Sequence, residues 1–129
     1  MEMLKNLNVD KKVTQINLSD DTLSILYQNA QLFIFPSIYE GFGIPILESF
    51  SCGCPVACSN TSSFPEIAQD AAAYFDPMDE ASIYNCINDL LFNYEYKEKL
   101  VDKAYRRLEE FSWEKTATKT LKIYKELAG

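Results

Sequence analysis

The chain has 129 residues, 47% of them hydrophobic and 24% charged, with a formal net charge of −7 and no histidine. That is one domain's worth of chain with apolar material for a modest core, and its acidity argues against nucleic acid or an anionic membrane surface as a general partner. No apolar run approaches the length of a membrane span and the N-terminus lacks the basic and apolar regions of a secretory signal, so a cytoplasmic location is the default expectation.

Residues 1–12 are polar and expected to be loosely held. Val13, Thr14, Gln15 and Ile16 read as a short strand. Ser19 suits a helix N-cap, and Asp20 and Asp21 favour the positive end of the helix dipole. Leu23, Leu26, Tyr27 and Ala30 then follow the spacing of an amphipathic helix. Leu32, Phe33, Ile34 and Phe35 form an unbroken apolar run, the pattern of a strand buried on both faces, and Pro36 stops it because proline cannot donate to a ladder. After a glycine-rich loop, Pro45 opens a helix and Gly53 ends it. Pro55, Val56, Ala57 and Cys58 read as the next buried strand. Pro65 opens another short helix near Glu66, and residues 72–75 read as a small final strand.

From Asp79 onward the pattern is helical. Ile83, Ile87, Leu90 and Leu91 form one stripe, and Leu100, Ala104, Leu108 and Phe111 a second. Ser112 caps a last helix carrying Trp113, Ala117, Leu121, Tyr124 and Leu127, whose aromatics are expected in the core. Lys103, Arg106 and Arg107, interleaved with Glu109 and Glu110, read as a solvated face. Strands alternating with helices predict an α/β fold with a short parallel sheet and a helical C-terminus.

The loop holds the chemistry. Residues 37–53 contain three of the four glycines and two glutamates, Glu40 and Glu48. Gly41 and Gly43 lack side chains that would hold a ligand away from the backbone. The helix after them leaves unpaired N–H groups, with Ile46 and Leu47 as candidates, and a positive dipole end that favours an anion such as phosphate. Two carboxylates beside an anion would repel it unless they accept hydrogen bonds from its hydroxyls, and a sugar nucleotide offers that pattern. The same residues are also compatible with ordinary α/β construction bearing exposed glutamates. Neither the Walker loop nor the Gly-x-Gly-x-x-Gly pattern is present. Cys52, Cys54, Cys58 and Cys86 lack zinc spacing and histidine partners, so free thiols are expected.

The run Phe35-Pro36-Ser37-Ile38-Tyr39-Glu40-Gly41-Phe42-Gly43-Ile44-Pro45-Ile46-Leu47-Glu48, continued by Gly53-Cys54-Pro55-Val56, resembles the donor-site signature of family 4 (group 1) retaining glycosyltransferases. The likeness extends through Ser63-Phe64-Pro65-Glu66, Asp70-Ala71-Ala72, Asp76-Pro77 and Phe111-Ser112-Trp113. The resemblance implies the GT-B fold, two facing Rossmann-like domains, with this chain as a single partial domain: the later half of the one that binds the nucleotide-sugar donor. It implies that Glu40 is the catalytic carboxylate and contacts the donor sugar. Gly41, Phe42, Gly43 and Ile44 would offer backbone amides to sugar and phosphate, and Glu48 would bind the ribose. It further implies metal-independent transfer with retention, no cofactor, and for the full-length parent a cytoplasmic or membrane-peripheral location. The acceptor domain, the earlier strands and the family's Arg/Lys pair that neutralises the diphosphate have no counterpart in these 129 residues. The chain is therefore expected to be an inactive piece whose partner is the missing N-terminal portion. The edge strand at Val13 to Ile16 is expected either to form a homodimer or to be covered by residues 1–12 folding back over it. The alternative is a non-catalytic relative acting as a binding module.

Overall fold

The computed structural model describes residues 2–129. Seven helices and three strands follow one another: α1 (Glu2–Asn6), α2 (Asp20–Asn29), β1 (Phe33–Phe35), α3 (Ile44–Ser51), β2 (Val56–Ser59), α4 (Phe64–Ala68), β3 (Ala73–Phe75), α5 (Glu80–Phe92), α6 (Tyr94–Leu108) and α7 (Trp113–Ala128). The sheet is parallel throughout in the order β1-β2-β3, with Phe33 opposite Val56 and Ala57 opposite Ala73. Parallel strands need covering on both faces, and the pleat of β2 sorts its side chains accordingly. Val56 and Cys58 point into a cluster with Ile46 and Phe50 of α3, Phe64 and Ala68 of α4 and Ala104 of α6. Ala57 points the other way, toward Phe75, Leu90 and Leu100. The expected α/β architecture is present, with β1 and β3 one residue shorter than the apolar runs that announce them and β2 shifted by one residue to end at Ser59.

An aromatic line crosses the first cluster. Tyr27 meets Phe33 edge-on at 5.2 Å, Phe33 stacks with Phe35 at 5.6 Å, and Phe35 lies 4.9 Å from Phe64. These rings tie α2, β1 and α4 together directly beneath the glycine loop.

The structure corrects several expectations. Residues 13–16 form no strand: the segment is exposed and unpaired. Val13 is extended at φ −114° and ψ 125°. A strand exists only through its ladder, and no described strand runs alongside this one. The edges of the sheet are instead the outer sides of β1 and β3, so the ladder invoked for a homodimer is not at residues 13–16. Residues 2–6 are helical rather than loose, although exposed; Met1 lies outside the described residues. Helix α7 forms where expected and Ser112 caps it by accepting from the Lys115 N–H, but its apolar side is uncovered. Trp113 is 83% exposed and Leu127 80%, because no described element packs on them. On α2, Tyr27 is buried while Leu26 stays half in solvent.

Arg107 is the clearest departure. Its side chain is only 10% exposed. Nε donates to the Ile67 carbonyl at 2.8 Å and Nη2 to the Glu66 carbonyl at 2.9 Å, while Nη1 pairs with Glu110. The guanidinium also lies over the Phe111 ring, 4.7 Å from its centroid. Carbonyls near the end of a five-residue helix have few partners of their own, and a planar fork of donors suits them. Lys103, by contrast, makes the exposed pair with Asp70, at 2.9 Å.

The four cysteines are free. Burial pushes the Cys58 thiol up to about 12, with the nearby Cys86 thiol adding to the shift, so it packs as a small hydrophobe and not as a nucleophile. Arg107→Ala is expected to destabilise the fold by about 1–3 kcal/mol, since it removes the two hydrogen bonds to the Glu66 and Ile67 carbonyls and the packing over Phe111. Lys103→Ala should leave the midpoint of chemical denaturation nearly unchanged. Equal midpoint shifts for the two variants would contradict this division of roles.

Candidate functional site

The loop between β1 and α3 projects from the carboxyl end of the sheet, where open α/β sheets hold ligands. Its conformation follows from two glycines with different jobs. Gly43 is the N-cap of α3 at φ 103° and is buried. A Cβ there would meet the Phe64 ring at 3.2 Å and Ile46 Cδ1 at 3.4 Å. Both the backbone angle and the packing therefore demand glycine. At Gly41 nothing lies within 4 Å of an added Cβ, so open space faces this part of the loop.

The start of α3 matches its sequence signals with one correction. Pro45 sits in the first turn, but the Ile46 N–H, expected to be free, donates to the Gly43 carbonyl at 3.0 Å. Proline at 45 removes one donor and the tightened first turn uses the next. Among the described residues, no hydrogen bond engages the N–H groups of Gly41, Phe42, Gly43 or Ile44. Four consecutive amides at the positive end of a helix are thus unengaged.

Glu40 is half-buried at the loop's entrance. Ser37 Oγ donates to its Oε1 at 3.0 Å, leaving Oε2 without a partner among the described residues. Glu48 lies in the fifth position of α3, one turn beyond the loop, and is exposed. Burial raises the Tyr27 phenol above its ordinary value, and the Glu48 charge adds to the shift. Along the chain Glu40 precedes the four amides and Glu48 follows them.

Sequence reasoning overlooked the residues that hold this loop. The loop after β2 carries Thr61, Ser62 and Ser63, and all three hydroxyls reach across to the glycine loop. Thr61 Oγ1 donates to the Ile38 carbonyl at 3.0 Å, Ser62 Oγ to the Glu40 carbonyl at 2.7 Å and Ser63 Oγ to the Phe42 carbonyl at 2.8 Å. The Glu40 N–H donates back to Ser62 Oγ at 3.1 Å. Three consecutive hydroxyl residues after a buried strand were the available signal, since such side chains readily bond backbone groups. On the far side, Phe42 meets Phe111 edge-on at 6.0 Å, which connects the loop to Arg107. Ser59, which ends the central strand, is fully buried with its hydroxyl unpaired.

No three His, Cys, Asp or Glu side chains among the described residues come together in a way that could hold a metal ion. No helix among them is long and apolar enough to cross a membrane. Arg107 touches the loop only through Phe111, and its donors are engaged elsewhere.

The two glycines can be told apart by experiment. Gly43→Ala is expected to cost about 1–3 kcal/mol of stability, from a left-handed backbone angle and a crowded ring. Gly41→Ala should melt like the parent chain. A Gly43→Ala protein as stable as the parent would mean that the loop does not rest on Phe64.

Comparison with known proteins agrees with the geometry. O-antigen chain mannosyltransferase B of Escherichia coli is 43% identical over 108 residues, which cover 84% of this chain and 28% of that protein. The MMP alpha-(1->4)-mannosyltransferase of Mycolicibacterium hassiacum is 31% identical over 117 residues, 88% of this chain and 28% of that one. The chain thus spans less than a third of the length of these relatives. Among solved structures, a sucrose-phosphate synthase from Thermosynechococcus elongatus superposes with a TM-score of 0.87 at 25% identity, over 98% of this chain and 33% of that one. A glycosyltransferase from Rickettsia africae does so with a TM-score of 0.80 at 24% identity, over 98% of this chain and 35% of its own. The α/β architecture is that of part of a GT-B glycosyltransferase. A family model described as "Glycosyl transferases group 1" matches residues 2–107, and the chain belongs to that family.

Proposed function

We propose that residues 1–129 are the later half of the donor-binding domain of a sugar-nucleotide-dependent glycosyltransferase, and that the full-length enzyme transfers a hexosyl group with retention. The observation that carries this reading is the row of four unengaged amides, Gly41 to Ile44, at the start of α3, preceded in the chain by Glu40 and followed by Glu48. The amides and helix dipole suit the diphosphate, which in this reading is held without a metal. Glu48 suits the ribose hydroxyls. Glu40, with Oε1 held by Ser37 and Oε2 free, suits the donor-sugar hydroxyls. The names of the two curated relatives favour a mannosyl donor.

Three features favour a larger parent. The sheet has an open edge at β1, the apolar side of α7 is uncovered, and the chain spans about a third of each solved relative. Breaking the glycosidic bond requires stabilising charge on the leaving diphosphate, and amides alone supply part of that. The missing cations would come from the absent portion. Residues 1–129 by themselves are accordingly expected to transfer no sugar; turnover by the purified chain with a sugar nucleotide and a simple acceptor would overturn the partial-domain reading.

The test in the full-length enzyme is a panel of UDP-, GDP- and ADP-sugars, followed by two substitutions. Glu48→Ala should weaken nucleotide binding by roughly 1.5–3 kcal/mol, the worth of hydrogen bonds to a charged group. Glu40→Ala should chiefly lower kcat, because its partners lie on the sugar that distorts during reaction. If both variants behave as wild type, the carboxylates serve the fold rather than the ligand.

A further inference from the structure

Ser62 adopts φ 57°, a left-handed conformation that an L side chain enters at a cost and that glycine would adopt freely. It lies in a solvent-exposed turn. Nothing in the local packing calls for a side chain. What the hydroxyl does instead is hold both peptide groups of one residue: it accepts from the Glu40 N–H at 3.1 Å and donates to the Glu40 carbonyl at 2.7 Å. The proton arrangement is self-consistent, since a hydroxyl can give one hydrogen bond while accepting another. Ser37 completes the hold from the side-chain end, donating to Glu40 Oε1 at 3.0 Å.

We infer that Ser62 is a positioning residue for sugar transfer, fixing the backbone of Glu40 from the loop after β2 so that its carboxylate stays aligned with the donor sugar. The inference rests on the donor-binding reading above and adds a residue to it. The backbone strain at Ser62 is retained because a glycine, which would relieve it, could not make either bond. Ser37 holds the carboxylate and Ser63 Oγ also reaches the Glu40 carbonyl, at 3.1 Å. Among the described residues, however, the Glu40 N–H is bonded by Ser62 alone, on a loop where Gly41 is unconstrained by packing and Tyr39 is 82% exposed. Misalignment of a group that acts on the reacting sugar is felt in turnover more than in ground-state affinity.

Two substitutions in the full-length enzyme separate alignment from stability. Ser62→Gly removes the hydroxyl and relieves the strain. Its melting temperature should stay at or near that of wild type, the Glu40 amide should lose protection from deuterium exchange, and kcat should fall by about tenfold with little change in donor KM. Ser62→Thr keeps the hydroxyl but places a β-branched residue at positive φ, so it should melt lower and retain most of kcat. A Ser62→Gly enzyme with wild-type kcat, or one in which kcat falls only in step with the folded fraction, overturns the inference while leaving the donor site standing. A wild-type enzyme that transfers from no sugar nucleotide overturns the donor-site reading, and this inference with it.

Discussion

The close approach of Gly43 to the ring of Phe64 is the constraint on which the rest of the site depends. Phe64 is fully buried and stands in the aromatic line that runs through Phe35 and Phe33 to Tyr27. Its ring comes within 3.2 Å of where a Cβ would stand at the entrance to α3, so a side chain there would have to displace it. That contact sets how near the helix start lies to the sheet, and so the direction in which the amides of residues 41–44 open. Arg107 supports it from behind: by bonding the Ile67 and Glu66 carbonyls it fixes the short helix that carries Phe64. The loop is therefore mounted on the core at one residue and tied down by hydroxyls at three others, which is how a segment built around glycine becomes rigid.

The electrostatics of the site are unusual for a protein expected to hold a diphosphate. The chain carries a net charge of −7, and the identified loop contributes carboxylates rather than cations. Attraction must come from oriented backbone dipoles, which carry no net charge and act only at contact distance. Such a site does not draw anions from afar. Under the proposed donor-binding reading, it would discriminate among those that arrive, favouring a phosphate whose attached hydroxyls meet Glu40 and Glu48 and repelling a bare one. Specificity for a sugar-bearing nucleotide would then follow from charge placement before any contact with the base.

The fold was legible in the sequence to the extent that signals were local. The first two parallel strands were announced by apolar runs with proline beside them, and the helix-end signals at Ser19, Gly53 and Ser112 lie at helix ends. What could not be read were properties that depend on a neighbour. Residues 13–16 have the composition of a strand but no ladder to join. The apolar side of α7 has helical periodicity but nothing packed on it. Arg107 resembles Lys103 and Arg106 in sequence, yet it alone reaches the carbonyls of α4 across forty residues of chain. Within the candidate site, the loop's composition and the family resemblance singled out both glutamates and the glycines. The hydroxyl clamp was not, because Ser62 and Glu40 are 22 positions apart and only the β1–β2 pairing brings their loops together.

Trp113 is the chain's single tryptophan, and it begins the helix that stands apart from the core. Its indole is largely in water, remote from the buried clusters that melt cooperatively. Intrinsic tryptophan fluorescence from this protein is therefore a poor thermometer for the domain, with an emission maximum already near that of the unfolded chain. The same property makes it a sensitive optical reporter of α7: any surface that comes to cover this helix will shift the emission to the blue against a silent background.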